Sequence, residues 1–229
     1  MTVDRVQVSL MGSFEGAERT MFGHRLLRWL PGVFFCLGAA LLVVSIAFPY
    51  WNMTLLAPQY PGGLYVRIFV NRMTGDDDPV LDEVREIDGL NHYIGMRPLG
   101  EAAQFERSIA IPVIVIFVGM LVVAAVWRRR WSWLLAVPPL LFPVVFLADM
   151  AYWLNEFGQN LDPYAPLSSA IQPFTPPLLG EGVVGQFRTL AALDVGWYLA
   201  AGASLLILIG IVASVVNNRQ RRDGSAREA

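Results

Sequence analysis

The chain of 229 residues contains no lysine, one cysteine (Cys36) and two histidines (His24 and His92), and only 16% of its residues are charged. One cysteine excludes an intrachain disulfide and a CxxC redox pair. There is no Walker or dinucleotide glycine loop, no nucleophile elbow and no pair of histidines at metal-ligand spacing. Soluble-type catalysis is therefore without a motif, and the chain is expected not to be an enzyme. The absence of lysine leaves arginine as the source of all 17 basic side chains, against 19 acids. The net charge of −2 averages a basic part and an acidic part, so it carries no suggestion of nucleic-acid binding.

Apolar residues are what the chain has in excess: 55% of the sequence, with a mean hydropathy of +0.48. This places it in the membrane class. Four stretches reach the ~18 apolar residues needed to cross a hydrocarbon core. They run from Pro31 to Pro49, Ile109 to Trp127, Trp131 to Leu154 and Val195 to Val216, each framed by Trp, Tyr or Arg. Arginines before the first apolar run also suit a cleaved signal peptide, but Ser45-Ile46-Ala47 is a poor cleavage site, so an uncleaved span is the expectation. Met1 and Met21 are both eligible starts.

Arg25 and Arg28, Arg128 to Arg130, and Arg219, Arg221 and Arg222 fall on one side of these spans. The positive-inside rule makes that side cytoplasmic. The expected organisation is a cytoplasmic tail 1–28, spans at 29–50, 108–127, 131–154 and 194–217, outer segments 51–107 and 155–193, a cytoplasmic turn 128–130 and a tail 218–229. In fold class this is an all-α membrane protein, a four-helix transmembrane bundle with a small irregular, partly β extracytoplasmic cap. Its place is the bacterial cytoplasmic (inner) membrane, in contact with the lipid bilayer.

The first outer segment opens with a turn-rich passage, Ala57 to Gly63, followed by Leu64-Tyr65-Val66-Arg67-Ile68-Phe69-Val70, whose alternation predicts a strand with Leu64, Val66, Ile68 and Val70 on one face. Thr74-Gly75-Asp76-Asp77-Asp78-Pro79 lacks the ligand spacing of an EF-hand and reads as a solvated turn. Val80, Leu81, Val84, Ile87 and Leu90 predict a short amphipathic helix. The second outer segment, rich in Pro, Gly and aromatics, is expected to be irregular and to lie against the first.

The polar constellations are few. His92 and Met96 stand four apart in Asn91-His92-Tyr93-Ile94-Gly95-Met96, and would share a helical face. Imidazole with thioether suits Cu(I), and Met53, Met73 and Met150 are further outer sulfurs. The alternatives are a hydrogen-bonded His beside a gap-filling Met, or a contact to a partner or a proton role. Asp149 lies near the outer end of the third span, with Tyr152 and Glu156 at successive turns. A carboxylate there is either satisfied by loop amides or used for ions. Pro138, Pro139 and Pro143 are expected to interrupt that span, as in broken-helix permeases, and Gly196, Ala200, Gly210 and Ser214 to favour close helix packing.

Ala57-Pro58-Gln59-Tyr60-Pro61, Leu90-Asn91-His92-Tyr93-Ile94-Gly95-Met96, Asp149 with Tyr152-Trp153-Leu154, and Phe174-Thr175-Pro176-Pro177 together resemble a family of bacterial four-span membrane proteins of undefined biochemistry. Such proteins tend to be encoded beside copper-handling and nitrous-oxide-reductase maturation genes. The resemblance implies a copper context, without assigning ligands. The expected function is an integral membrane accessory or assembly factor for an extracytoplasmic metalloprotein or respiratory enzyme, handling copper through His92 and Met96. The alternatives are a non-catalytic structural subunit of a membrane complex, with other membrane or extracytoplasmic subunits as partners, and a small permease component.

Overall fold

The computed structural model describes residues 29–76, 81–127, 129 and 131–225, with side chains to residue 219. The expected tail 1–28, Asp77, Asp78 and Pro79 of the acidic turn, Val80 of the expected amphipathic helix, Arg128 and Arg130, and the last four residues of the expected tail 218–229 lie outside the described residues.

The helices are α1 (Trp29–Ser45), α2 (Glu83–Ile94), α3 (Gln104–Val126), α4 (Val137–Gln159) and α5 (Val195–Ser225). Among the described residues, three segments are long and apolar enough to cross a membrane: Gln104–Val126, Ser132–Gln159 and Val195–Arg219. Helix α1, where a fourth span is expected, is apolar but just short, over its described length, of the ~18–20 residues that a span needs. Although α3 is rich in Val and Ile, it is helical, because in hydrocarbon each backbone polar group must be satisfied within its own segment.

Helix α5 packs closely on α1. A Cβ at Gly210 would meet Phe35, and one at Gly196 would meet Tyr50 and the Phe48 carbonyl, while Ala200 and Ala203 are fully buried. The small-residue face thus serves close packing within the bundle. The third segment is interrupted where its first prolines fall: Ser132–Ala136 is a 3-10 helix, and α4 starts at Val137, with Pro138 and Pro139 in its first turn, where a missing N–H costs nothing, and Pro143 inside the helix. Two α4 carbonyls accept from α5: Leu140 O from Ser204 Oγ at 2.9 Å and Pro143 O from Trp197 Nε1 at 3.1 Å. Helix α4 also runs five residues past its expected end at 154, to Gln159.

The cap is built on a five-stranded antiparallel sheet: β1 (Trp51–Ala57), β2 (Tyr60–Ile68), β3 (Met73–Thr74), β4 (Gly180–Val184) and β5 (Phe187–Leu193), in the order β3-β2-β1-β5-β4. Leu64, Val66 and Val70 are buried as the alternation predicts, and Ile68 is half-buried. Strand β1, not anticipated, buries Trp51, Leu55 and Ala57 on the same alternation. The second outer segment is less irregular than expected, since β4 and β5 form a hairpin whose β5 pairs with β1 from Trp51↔Leu193 to Leu56↔Arg188. It does lie against the first segment, as expected.

The junction of cap and bundle is a short polar knot. Asp194 N donates to Tyr50 O at 3.0 Å, Asn52 Nδ2 donates to Asp194 Oδ2 at 2.9 Å, and the Tyr50 hydroxyl lies 2.6 Å from Ser45 Oγ. Because α1 leads into β1 and β5 leads into α5, the sheet's central strand and its neighbour β5 continue two packed helices.

A methionine pocket and the His92 segment

Below the sheet, an apolar pocket of about 130 Å³ brings together Met53, Met73, Met96 and Met150 with Trp51 and Trp153. These methionines come from four separate segments. Met53 takes the inward alternation of β1, opposite Val66 and Ala191 on the flanking strands. Met73 is in β3, opposite Ile68. Met150 comes from the cap-side part of α4. Every methionine between the first and second outer segments' ends, apart from Met120 within α3, therefore lines one pocket.

Met96 arrives by a different route from the one its spacing suggests. Helix α2 starts at Asp82, whose side chain accepts from Arg85 N at 3.2 Å, and stops at Ile94. Gly95 then turns left-handed at φ 85°. Its N–H donates to His92 O at 3.3 Å, and Met96 N donates to Asn91 O at 2.9 Å. These two bonds make a Schellman ending. Met96 is consequently off the helix and does not stack on His92. The imidazole is exposed, with Tyr93 edge-on at 6.2 Å, and is not among the residues lining the pocket.

The remaining candidates separate into distinct roles. Asn91 is buried and lines the pocket. Tyr93 and Tyr152 are 55% and 59% exposed, so both face outward. Glu156 accepts from Arg97 Nη2 at 3.0 Å, and the Arg97 guanidinium lies 4.6 Å over the Phe157 ring. This joins the end of the His92 segment to α4. Asp149 lines a second cavity, together with Glu106 and Arg107, and is not part of the methionine pocket. Among the described residues, no three or more His, Cys, Asp or Glu side chains cluster as a metal site.

The segment's peptide groups are committed to packing. Tyr93 O accepts from Leu167 N at 3.0 Å, and Gly95 O accepts from Asp162 N at 2.8 Å. A Cβ at Gly95 would stand 2.8 Å from Asp162 O. Both the left-handed conformation and this approach require glycine.

Charged groups of the cap mostly hold loops. Glu83, buried at 5% exposure, accepts from Tyr65 N at 3.1 Å and from Asp76 N, so it ties β2 to the acidic turn. Asp88 accepts from Leu99 N at 2.7 Å. Burial pushes its carboxyl above the ordinary value, and the Leu99 bond opposes that rise. Tyr60 donates to Glu86, a bond that raises the phenol's pKa.

Sequence reasoning missed the aromatic half of the pocket. Trp51 is almost fully buried and donates to Leu178 O at 2.7 Å. Trp153 Nε1 is buried without a hydrogen-bond partner; the Asp149 carboxylate one turn earlier interacts with this side chain but does not meet hydrogen-bond geometry. Its position directly after Tyr152, at the end of an apolar span, was the available signal. No family model matches the chain, and no curated protein matches it.

Proposed function

We propose that this protein is an accessory factor of the bacterial cytoplasmic membrane, with four spans, both termini in the cytoplasm and the cap outside. It serves an extracytoplasmic metalloprotein or respiratory enzyme by holding copper, as Cu(I), for delivery. The apolar helices support the membrane part of this reading, and the three arginine clusters support the orientation.

The observation that carries the copper reading is the convergence of Met53, Met73, Met96 and Met150 on one pocket. Thioethers are soft, neutral donors and favour Cu(I) over hard cations. An apolar wall penalises a monovalent ion less than a divalent one. The donor set thus fits this cargo, with the pocket methionines as the holding ligands. His92, exposed one turn before Met96, stands as the outward contact through which copper is received or passed.

Competition of the purified protein with a chromophoric Cu(I) chelator tests the reading. The wild type should take up copper, the combined Met53, Met73, Met96 and Met150→Leu variant should not, and His92→Ala should keep its equilibrium affinity. Unchanged binding by the fourfold Leu variant would remove the pocket from the account.

A second reading is favoured by a different observation. Tyr93 and Tyr164 are 55% and 92% exposed on the cap, and exposed tyrosines are common anchors at protein interfaces. On this reading the protein is a non-catalytic subunit whose cap docks a partner. Copurification of a complex without copper favours it, and recovery as a monomer counts against it.

A further inference from the structure

A second cavity, of about 280 Å³, lies between α3 and α4. Its walls are apolar: Ala110, Val113 and Phe117 from α3, and Phe142, Val145 and Phe146 from α4. Both helices belong to segments that are apolar enough to cross a membrane. The gap has a structural origin. Helix α4 is tied to α5 by the Ser204 and Trp197 bonds, and no comparable bond among those described ties it to α3.

Two features identify what fills the gap. First, Val145 lines the cavity yet is 59% exposed, so the cavity opens sideways to the surroundings of the helices, which are lipid. Second, polarity is confined to the cap end, where Glu106, Arg107 and Asp149 stand.

Ile68, Met73, Ala102, Met150 and Trp153 line both this cavity and the methionine pocket. An apolar cavity of about 150 Å³ already holds a benzene molecule, so this larger one has room for hydrocarbon. We infer that the α3–α4 cleft is a binding site for one acyl chain of a bilayer glycerolipid, entering from the cap-side leaflet, with its headgroup end at Glu106, Arg107 and Asp149. The opposed charges of Arg107 and the two acids suit a zwitterionic headgroup better than an anionic one. The chain would complete the floor of the methionine pocket through Met73 and Met150.

The test reconstitutes the full-length protein in vesicles of phosphatidylethanolamine and phosphatidylglycerol containing a phosphatidylethanolamine with a photoactivatable acyl chain. Labelled residues are then mapped by mass spectrometry. The cleft predicts enriched labelling of Ala110, Val113, Phe142 and Phe146 over the outward-facing Val115 and Ile116. Ala110→Trp should abolish that enrichment. Equal labelling of both sets in the wild type would overturn the site, as would enrichment that persists in a folded Ala110→Trp. If that variant does not fold, Val113→Phe decides in the same way. Ala110 does not line the methionine pocket; loss of labelling with copper uptake intact is therefore the expected result, whereas failure of copper uptake in the wild type leaves the labelling result standing.

Discussion

Gly95 meets two demands at once, a left-handed backbone and a peptide contact with Asp162. Gly95→Ala should cost about 1–3 kcal/mol from backbone strain alone, with more from the overlap. Thermal unfolding should show this as a lower midpoint, together with faster proteolysis around residues 162–171. The Arg97–Glu156 pair is half-exposed, so Arg97→Met, which keeps much of the contact with Phe157, should cost less than about 1 kcal/mol. Asp88 gives a pH signature. Its folded-state pKa is raised by burial, so the folded chain holds this proton more tightly than the unfolded one. That contribution is present at low pH and is lost as pH rises through the raised value. Asp88→Asn should remove this part of the pH dependence while still accepting from Leu99 N, and parallel pH–stability curves for the two proteins would contradict it. At this scale the sequence singled out His92 and Met96 together. The spacing was readable, but Gly95, standing between them, was the stronger signal, because a glycine at that place ends a helix.

Among the elements, α3, α4 and α5 were legible from their long apolar runs and β2 from its alternation, although β2 starts at Tyr60, inside the passage that reads as a turn. Helix α2 was legible from its three- and four-residue spacing. Strand β1 was not, since Leu56 breaks the alternation of its outward positions, and its partner β5 is more than a hundred residues away. The β4–β5 hairpin carried a signal that was passed over. Gly185-Gln186 is a two-residue loop with Gly185 at φ 60°, the glycine-led kind of turn that joins hairpin strands. Near the opposite end of that hairpin, Asn52 crosses from β1 to Asp194 at the start of α5. Asn52→Ala should cost about 1–3 kcal/mol by leaving a part-buried charged acceptor short of a donor. Faster hydrogen exchange in β5 and the first turn of α5 would register the loss, and unchanged exchange would show the knot to be dispensable.

For the whole molecule, the arrangement is a sheet continued directly from packed helices, holding a thioether pocket just above the apolar segments. Sequence could name Met53, Met73, Met96 and Met150 as sulfurs on one side, but not their meeting, because that depends on strand register, a helix ending and the length of α4. Thioethers carry no exchangeable proton. Copper affinity should therefore be flat from about pH 5 to 8, whereas a site that includes imidazole weakens as His is protonated. The most direct test of the central claim is copper X-ray absorption on the Cu(I)-loaded protein. A first shell of sulfur alone, with no imidazole scattering and no change in His92→Ala, is the predicted spectrum; a nitrogen-containing shell that disappears in His92→Ala would contradict the methionine pocket as the site.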